Sequence, residues 1–239
     1  MSARVSRALA DGAGDVVRSC LDASWQHALD RLARAPVAAL IATALDAVGT
    51  PAFAAMAEDS YRHSNGFAKI SFPRVPGTAA RLRLHLWLPG DGREPDSDLH
   101  NHRWPFASRV LAGRLHQELY RTDPTPAGDF RQYRHEQTGP DRGYRFSYVG
   151  RATTELTDDQ VIGTGEVYRL PRQAIHRVWA DPDRVAATLV VEYPPRTTMT
   201  DVWCRSADKV VGTAQDPPRY GAGAVRRMLV DLLTDLGHE

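Results

Sequence analysis

The sequence predicts a mainly β fold, an antiparallel barrel or sandwich with an N-terminal helical segment and a C-terminal helix. Three observations predict it. Apolar residues recur at helical spacing from residue 1 to about 62; the period switches to two at Leu82; and short apolar segments divided by Gly/Pro turns follow to about residue 195.

In the N-terminal segment, Val16, Cys20 and the stretch Trp25 to Leu29 alternate with charged positions. Val37, Leu40, Ile41 and Leu45 form a second apolar stripe, and Gly49-Thr50-Pro51 ends it with Pro51 placed to open a further helix. Leu82, Leu84, Leu86 and Leu88 then alternate with Arg81, Arg83, His85 and Trp87, which reads as a half-buried strand closed by the turn Pro89-Gly90-Asp91-Gly92. Further strands are expected near 99–102, 108–111, 114–120, 130–137, 144–149, 165–170, 174–179 and 185–193, with a loop from Thr122 to Asp129. The tail returns to helical spacing, with Val225, Met228, Leu229, Leu232 and Leu233 on one side. The expected division is a helical segment over 1–65, a β-barrel over 66–205 and a C-terminal extension with a helix over 206–239.

Composition narrows the function classes. The chain has 239 residues, 42% hydrophobic and 25% charged, with a formal net charge of +1. No global field attracts nucleic acid or an anionic membrane. The N-terminal helices show no concentrated arginine face, so no nucleic-acid partner is expected. The apolar run from Pro36 to Ala47 is too short to span a bilayer and reads as a buried helix. Two cysteines, Cys20 and Cys204, without a Cys-x-x-Cys pair, fit a reducing cytoplasm. Basic residues are nearly all arginine; lysine occurs only at Lys69 and Lys209.

The chemistry concentrates in two segments, Asp98-Leu-His100-Asn-His102-Arg-Trp-Pro-Phe106 and Gly165-Glu-Val-Tyr-Arg-Leu-Pro171-Arg-Gln-Ala-Ile-His176. Residues two apart on a strand face the same way, so His100 and His102 can share one interior with His176 and bind one divalent ion through neutral imidazole nitrogens. His27, His63, His85, His116, His135 and His238 are read as hydrogen-bonded or solvated rather than as ligands.

These segments resemble the two motifs of the cupin superfamily. His100-x-His102, Gly113, Gly165, Pro171 and His176 stand at the family's spacings. Two positions depart: Phe106 (or Ala107) stands where the family carries a glutamate, and Gln173 where it carries a glycine. The resemblance implies a cupin-type β-barrel, a jelly roll. Three histidines without the glutamate, the sequence Ile175-His176-Arg177-Val178 and the strand end Tyr193-Pro194-Pro195 are similar to the thiol dioxygenases of the cysteine dioxygenase type.

That closer resemblance implies one Fe(II), with Zn, Ni, Mn or Cu as alternatives, and oxygenation of a small thiol- or carboxylate-bearing substrate. It implies Tyr193 beside the metal and Arg62 on the substrate's carboxylate. The cysteine that cross-links to the tyrosine in some of those enzymes is absent after His102. The strand from Val185 to Tyr193 places Val185, Ala187, Leu189, Val191 and Tyr193 on one face, which is expected to share the interior with Ala174, His176 and Val178. A non-oxidative isomerase, lyase or hydrolase is the alternative, with Glu118, Glu192 and His116 as candidate bases. A non-enzymatic ligand-binding module is the third reading.

Overall fold

A computed structural model describes residues 2–90, 98–138, 143–205, 211–212 and 216–237. Asp91 and Gly92 of the expected turn, Lys209 and His238 lie outside the described residues. Four helices come first: α1 (Ser2–Leu21), α2 (Trp25–Ala33), α3 (Val37–Asp46) and α4 (Pro51–Glu58). Twelve strands follow: β1 (Tyr61–Arg62), β2 (Ala68–Ser71), β3 (Arg81–Trp87), β4 (Leu99–His100), β5 (Phe106–Ala112), β6 (Arg114–Pro124), β7 (Phe130–Thr138), β8 (Gly143–Gly163), β9 (Val167–Leu170), β10 (Ile175–Ala180), β11 (Ala186–Glu192) and β12 (Met199–Cys204). Helix α5 (Ala222–Asp235) closes the chain. At the start of α4, Thr50 caps the helix by accepting from the Phe53 N–H, and Pro51 occupies the first turn, where its missing N–H costs nothing.

Two antiparallel sheets form. One has the order β1-β2-β3-β11-β5-β9; the other, β10-β4-β12-β7-β8-β6, closes on itself. Closure depends on the length of β8, whose first half pairs with β7 and whose second half pairs with β6. Strand β10 then lies between β6 and the short β4. Sequence periodicity finds only the first part of β8. Its continuation, Thr153 to Gln160, is polar or exposed on nearly every residue and offers no alternation to read.

The largest core lies outside the sandwich, between the first sheet and the helices. Leu82, Leu84 and Leu86 of β3 and Ala187, Leu189 and Val191 of β11 pack with Leu9, Leu32, Ile41, Phe53 and Leu229. The leucine stripe of β3 is therefore covered by helices, and the opposite stripe is buried as well. Arg83 and Trp87 are buried and His85 is half-buried. The expected half-buried strand is thus a strand buried on both faces, whose polar face lines the interior between the sheets. Apolar patches interrupt that interior, two of them next to β3, β5 and β11. Phe67, Trp87, Val110, Leu115, Ile162, Val178 and Ala186 form one, and Phe106, Leu170 and Val190 form the other.

Gly113, between β5 and β6, has φ +68°, and a Cβ there would lie 2.4 Å from the Val185 carbonyl oxygen. Only glycine fits this turn against the neighbouring chain.

Among the described residues, no single helix is long and apolar enough to cross a membrane. Helices α3 and α4 meet that test only together; they are bent by 115° relative to each other, and their buried faces join the helix-covered core.

Candidate metal centre

The two histidine segments meet in the second sheet. His100 ends β4, and His176, the second residue of β10, is its direct cross-strand partner, so both side chains emerge on one face. His102 lies just past β4, where its N–H donates to the Arg172 carbonyl. A turn closed by the Ala174 N–H on the Pro171 carbonyl delivers the chain into β10. The imidazole centroids are 4.9 Å apart for His100 and His102, 4.6 Å for His100 and His176, and 5.0 Å for His102 and His176.

One nitrogen from each ring lies within 4.8 Å of the other two, and the Nε2 atoms of His102 and His176 are 2.9 Å apart. Two ligands about 2.1 Å from one ion, at right angles, would be separated by roughly 3.0 Å. The donor set therefore fits a divalent metal. Outer partners orient it. His100 Nδ1 lies 2.9 Å from the Asp98 carbonyl, and His176 Nδ1 lies 3.3 Å from Gln117 Oε1. Donation from Nδ1–H in both rings leaves the Nε2 lone pairs for the ion. Burial, reinforced by the neighbouring imidazoles, holds His102 and His176 well below the ordinary histidine pKa, which favours the neutral, ligating form.

Among the described residues, no carboxylate joins this group. Phe106 stands against it instead, its ring 5.0 Å from His102 and nearly perpendicular. The residue directly across from Phe106 on β11 is Glu192, whose carboxylate is engaged elsewhere. Lys69 Nζ lies 2.5 Å from one of its oxygens and Arg83 Nε 3.4 Å from the other. Burial opposes its charge, but these two cations prevail and hold Glu192 below the usual carboxylate range.

Two sequence expectations are corrected here. Tyr193 does not face the histidines. It packs with the helix-covered core, and its hydroxyl donates to the Cys20 carbonyl of α1 at 3.2 Å. The physical reason is a parity reversal. The apolar stripe Ala187, Leu189, Val191 is drawn under the helices, so Thr188, Val190 and Glu192 face the interior that His176 occupies. Arg62 follows the same rule. It pairs with Ala68, whose side chain belongs to the helix-covered core, while Tyr61 and His63 flank it on the other face.

Among the proposed bases, Glu118 binds Arg177 and Tyr120, and His116 bonds Asp181 and stacks on Trp179. Both lie on the face opposite Gln117, outside the barrel. His63 and His85 enclose Phe67, with centroids 4.5 and 4.6 Å from its ring, and burial keeps both well below the ordinary histidine pKa.

Sequence reasoning missed Lys69, Arg83 and Gln117 as interior residues. Lys69 had a signal: it is one of two lysines in a chain that otherwise uses arginine.

The sequence matches no family model and no curated protein. Among solved structures, the hydroxypropylphosphonic acid epoxidase from S. wedmorenis aligns over 58% of this chain and 57% of its own, at 11% identity and a TM-score of 0.36. An RmlC-like cupin from Shewanella frigidimarina NCIMB 400 aligns over 58% of this chain and 86% of its own, at 13% identity and a TM-score of 0.33. Drosophila melanogaster CENP-C bound to CAL1 gives 13% identity and 0.32 over 56% of this chain and 79% of that one. The chain spans little more than half the length of the epoxidase. Likenesses this weak place the chain in no family, and the centre is defined by its own geometry.

Proposed function

We propose that the chain is a non-haem Fe(II) oxygenase on a cupin-type barrel, acting on a small substrate that bears a thiol or a carboxylate. The observation that carries this reading is the donor set: three convergent imidazoles and no carboxylate among the described residues. An Fe(II) ion held there keeps its full 2+ charge and supplies redox chemistry with O2 beside an anionic substrate group. The chain's own part is positioning. The Asp98 carbonyl and Gln117 fix two of the rings, and Phe106 keeps one flank of the centre apolar.

A non-oxidative metal enzyme would need a general base near the ion. Glu118 and His116 bind partners on the outer face, and Glu192 is held as a carboxylate by two cations. The oxidative reading needs no such base and is preferred. The test is metal analysis of protein purified without an affinity tag or added metal, then oxygen uptake on Fe(II)-loaded protein with a panel of small thiols and carboxylates. About one ion per chain with substrate-dependent oxygen uptake is the expected result. Turnover that persists without oxygen transfers the proposal to the non-oxidative class, and absence of metal defeats both.

A further inference from the structure

Beside the histidines, the interior gathers more positive charge than it neutralises. Glu192 is 3% exposed, and both of its oxygens are used, one by Lys69 and the other by Arg83. Arg81 is the direct cross-strand partner of Glu192 and lies two residues from Arg83 on β3, so it shares that face. Its guanidinium is half-buried and makes no hydrogen bond or ion pair among the described residues. Burial is the main reason its pKa falls to about 10, and Arg83, Arg74 and Arg103 press it the same way.

Arg103 is within electrostatic reach of the same glutamate and lies over the Trp104 ring at 4.7 Å, with Lys69 Nζ 5.4 Å from that ring. Lys69 and Arg83 thus hold one carboxylate, Arg81 and Arg103 act on it at longer range, and Arg103 also donates to Gln137 Oε1. The cluster adjoins the metal centre, because Phe106, paired with Glu192, touches His102, and the Lys69 charge acts on that histidine. A fold gains nothing from crowding like charges where water is scarce, and a guanidinium with five donors and no acceptor calls for an anion.

We propose that Arg81, Arg83, Lys69 and Arg103 form a second subsite, which takes a dianionic oxyanion of the phosphate-ester or phosphonate class on the substrate's far end. This names the substrate class and rests on the functional reading above only for the end that reaches the histidines. Charge decides between anions. Four positive charges against one negative leave an excess of three, which a dianion reduces to one and a monocarboxylate only to two. Planar guanidinium forks also match phosphate oxygens two at a time.

The test titrates inorganic phosphate and, separately, acetate into the full-length, metal-free protein at fixed ionic strength, read by calorimetry and thermal shift. Phosphate should bind saturably and about tenfold or more tighter than acetate. Arg81→Gln should weaken phosphate by about tenfold or more without lowering the melting temperature measured in its absence. Arg103→Gln, on the loop after β4 rather than on β3, should weaken it as well. His102→Ala should bind phosphate like the parent protein, so failure of the metal reading would leave this result standing. Acetate binding as tightly as phosphate overturns the dianion assignment. No saturable binding, or binding indifferent to both arginine substitutions, overturns the subsite.

Discussion

His100 and His176 are direct partners across one antiparallel pair, their imidazole centroids 4.6 Å apart although 76 positions separate them in the chain. The pairing commits both rings to one side before any metal arrives. Replacing His100, His102 or His176 singly with alanine should lower metal occupancy severely, because each removes one of three donors. Metal content per chain after dialysis checks this. Full occupancy in the triple variant would sink the site.

Gln117 orients His176 from the interior face of β6 and is 2% exposed. Gln117→Ala should weaken metal binding by roughly 10- to 100-fold while the histidines remain intact. Competition with a chelator of known affinity measures the loss. A Gln117→Glu variant separates orientation from simple packing, because an ionised acceptor should restore most of the affinity.

Tyr193 donates to the Cys20 carbonyl rather than facing the histidines. Tyr193→Phe should therefore cost about 0.5–1.5 kcal/mol of stability, the worth of one hydrogen bond. Metal occupancy and turnover should stay at the parent level. A tenfold fall in turnover at unchanged stability would contradict this orientation.

Breaking the buried pair should be far more costly. Lys69→Met removes the nearest cation from Glu192 and should destabilise by about 3–5 kcal/mol, as denaturant unfolding would show. Glu192→Gln tests pH dependence. Its folded pKa is depressed, so the unfolded chain takes up the proton first as pH falls. Its contribution is complete above the ordinary glutamate pKa of about 4.3 and is lost below it. His63, His85, His102 and His176 are also depressed, which places their loss at higher pH, beginning below about 6.5 in metal-free protein. Unfolding free energy against pH should show both declines, and Glu192→Gln should flatten only the more acidic one.

Gly113→Ala places a methyl 2.4 Å from the Val185 carbonyl oxygen at a positive φ. It should destabilise by about 1–3 kcal/mol or more by forcing β5 and β11 apart at that end. A thermal melt checks it, and an unchanged midpoint would refute the packing argument.

The mainly β character, the flanking helices and the histidine trio were legible in the sequence. Helical spacing, period-2 alternation and turn residues are local signals, and His100-x-His102 with Pro171 and His176 needs only the chain itself. Strands β2 and β12 and the second half of β8 were not legible. Short or evenly polar segments become strands only when a neighbour supplies their hydrogen-bond partners.

Which face of β3 and β11 looks inward was also undecidable locally. Alternation states that Leu84 and Arg83 point opposite ways, and likewise Tyr193 and Glu192, but not which side meets the helices. The helices settled it by burying the more apolar stripe, because covering Leu82, Leu84, Leu86, Leu189 and Val191 removes the most hydrocarbon from water. The polar stripe was left to line the barrel. The sequence by itself thus determined the three imidazoles, while tertiary packing alone turned Tyr193 away from them and brought Lys69, Arg83 and Glu192 into the interior beside them.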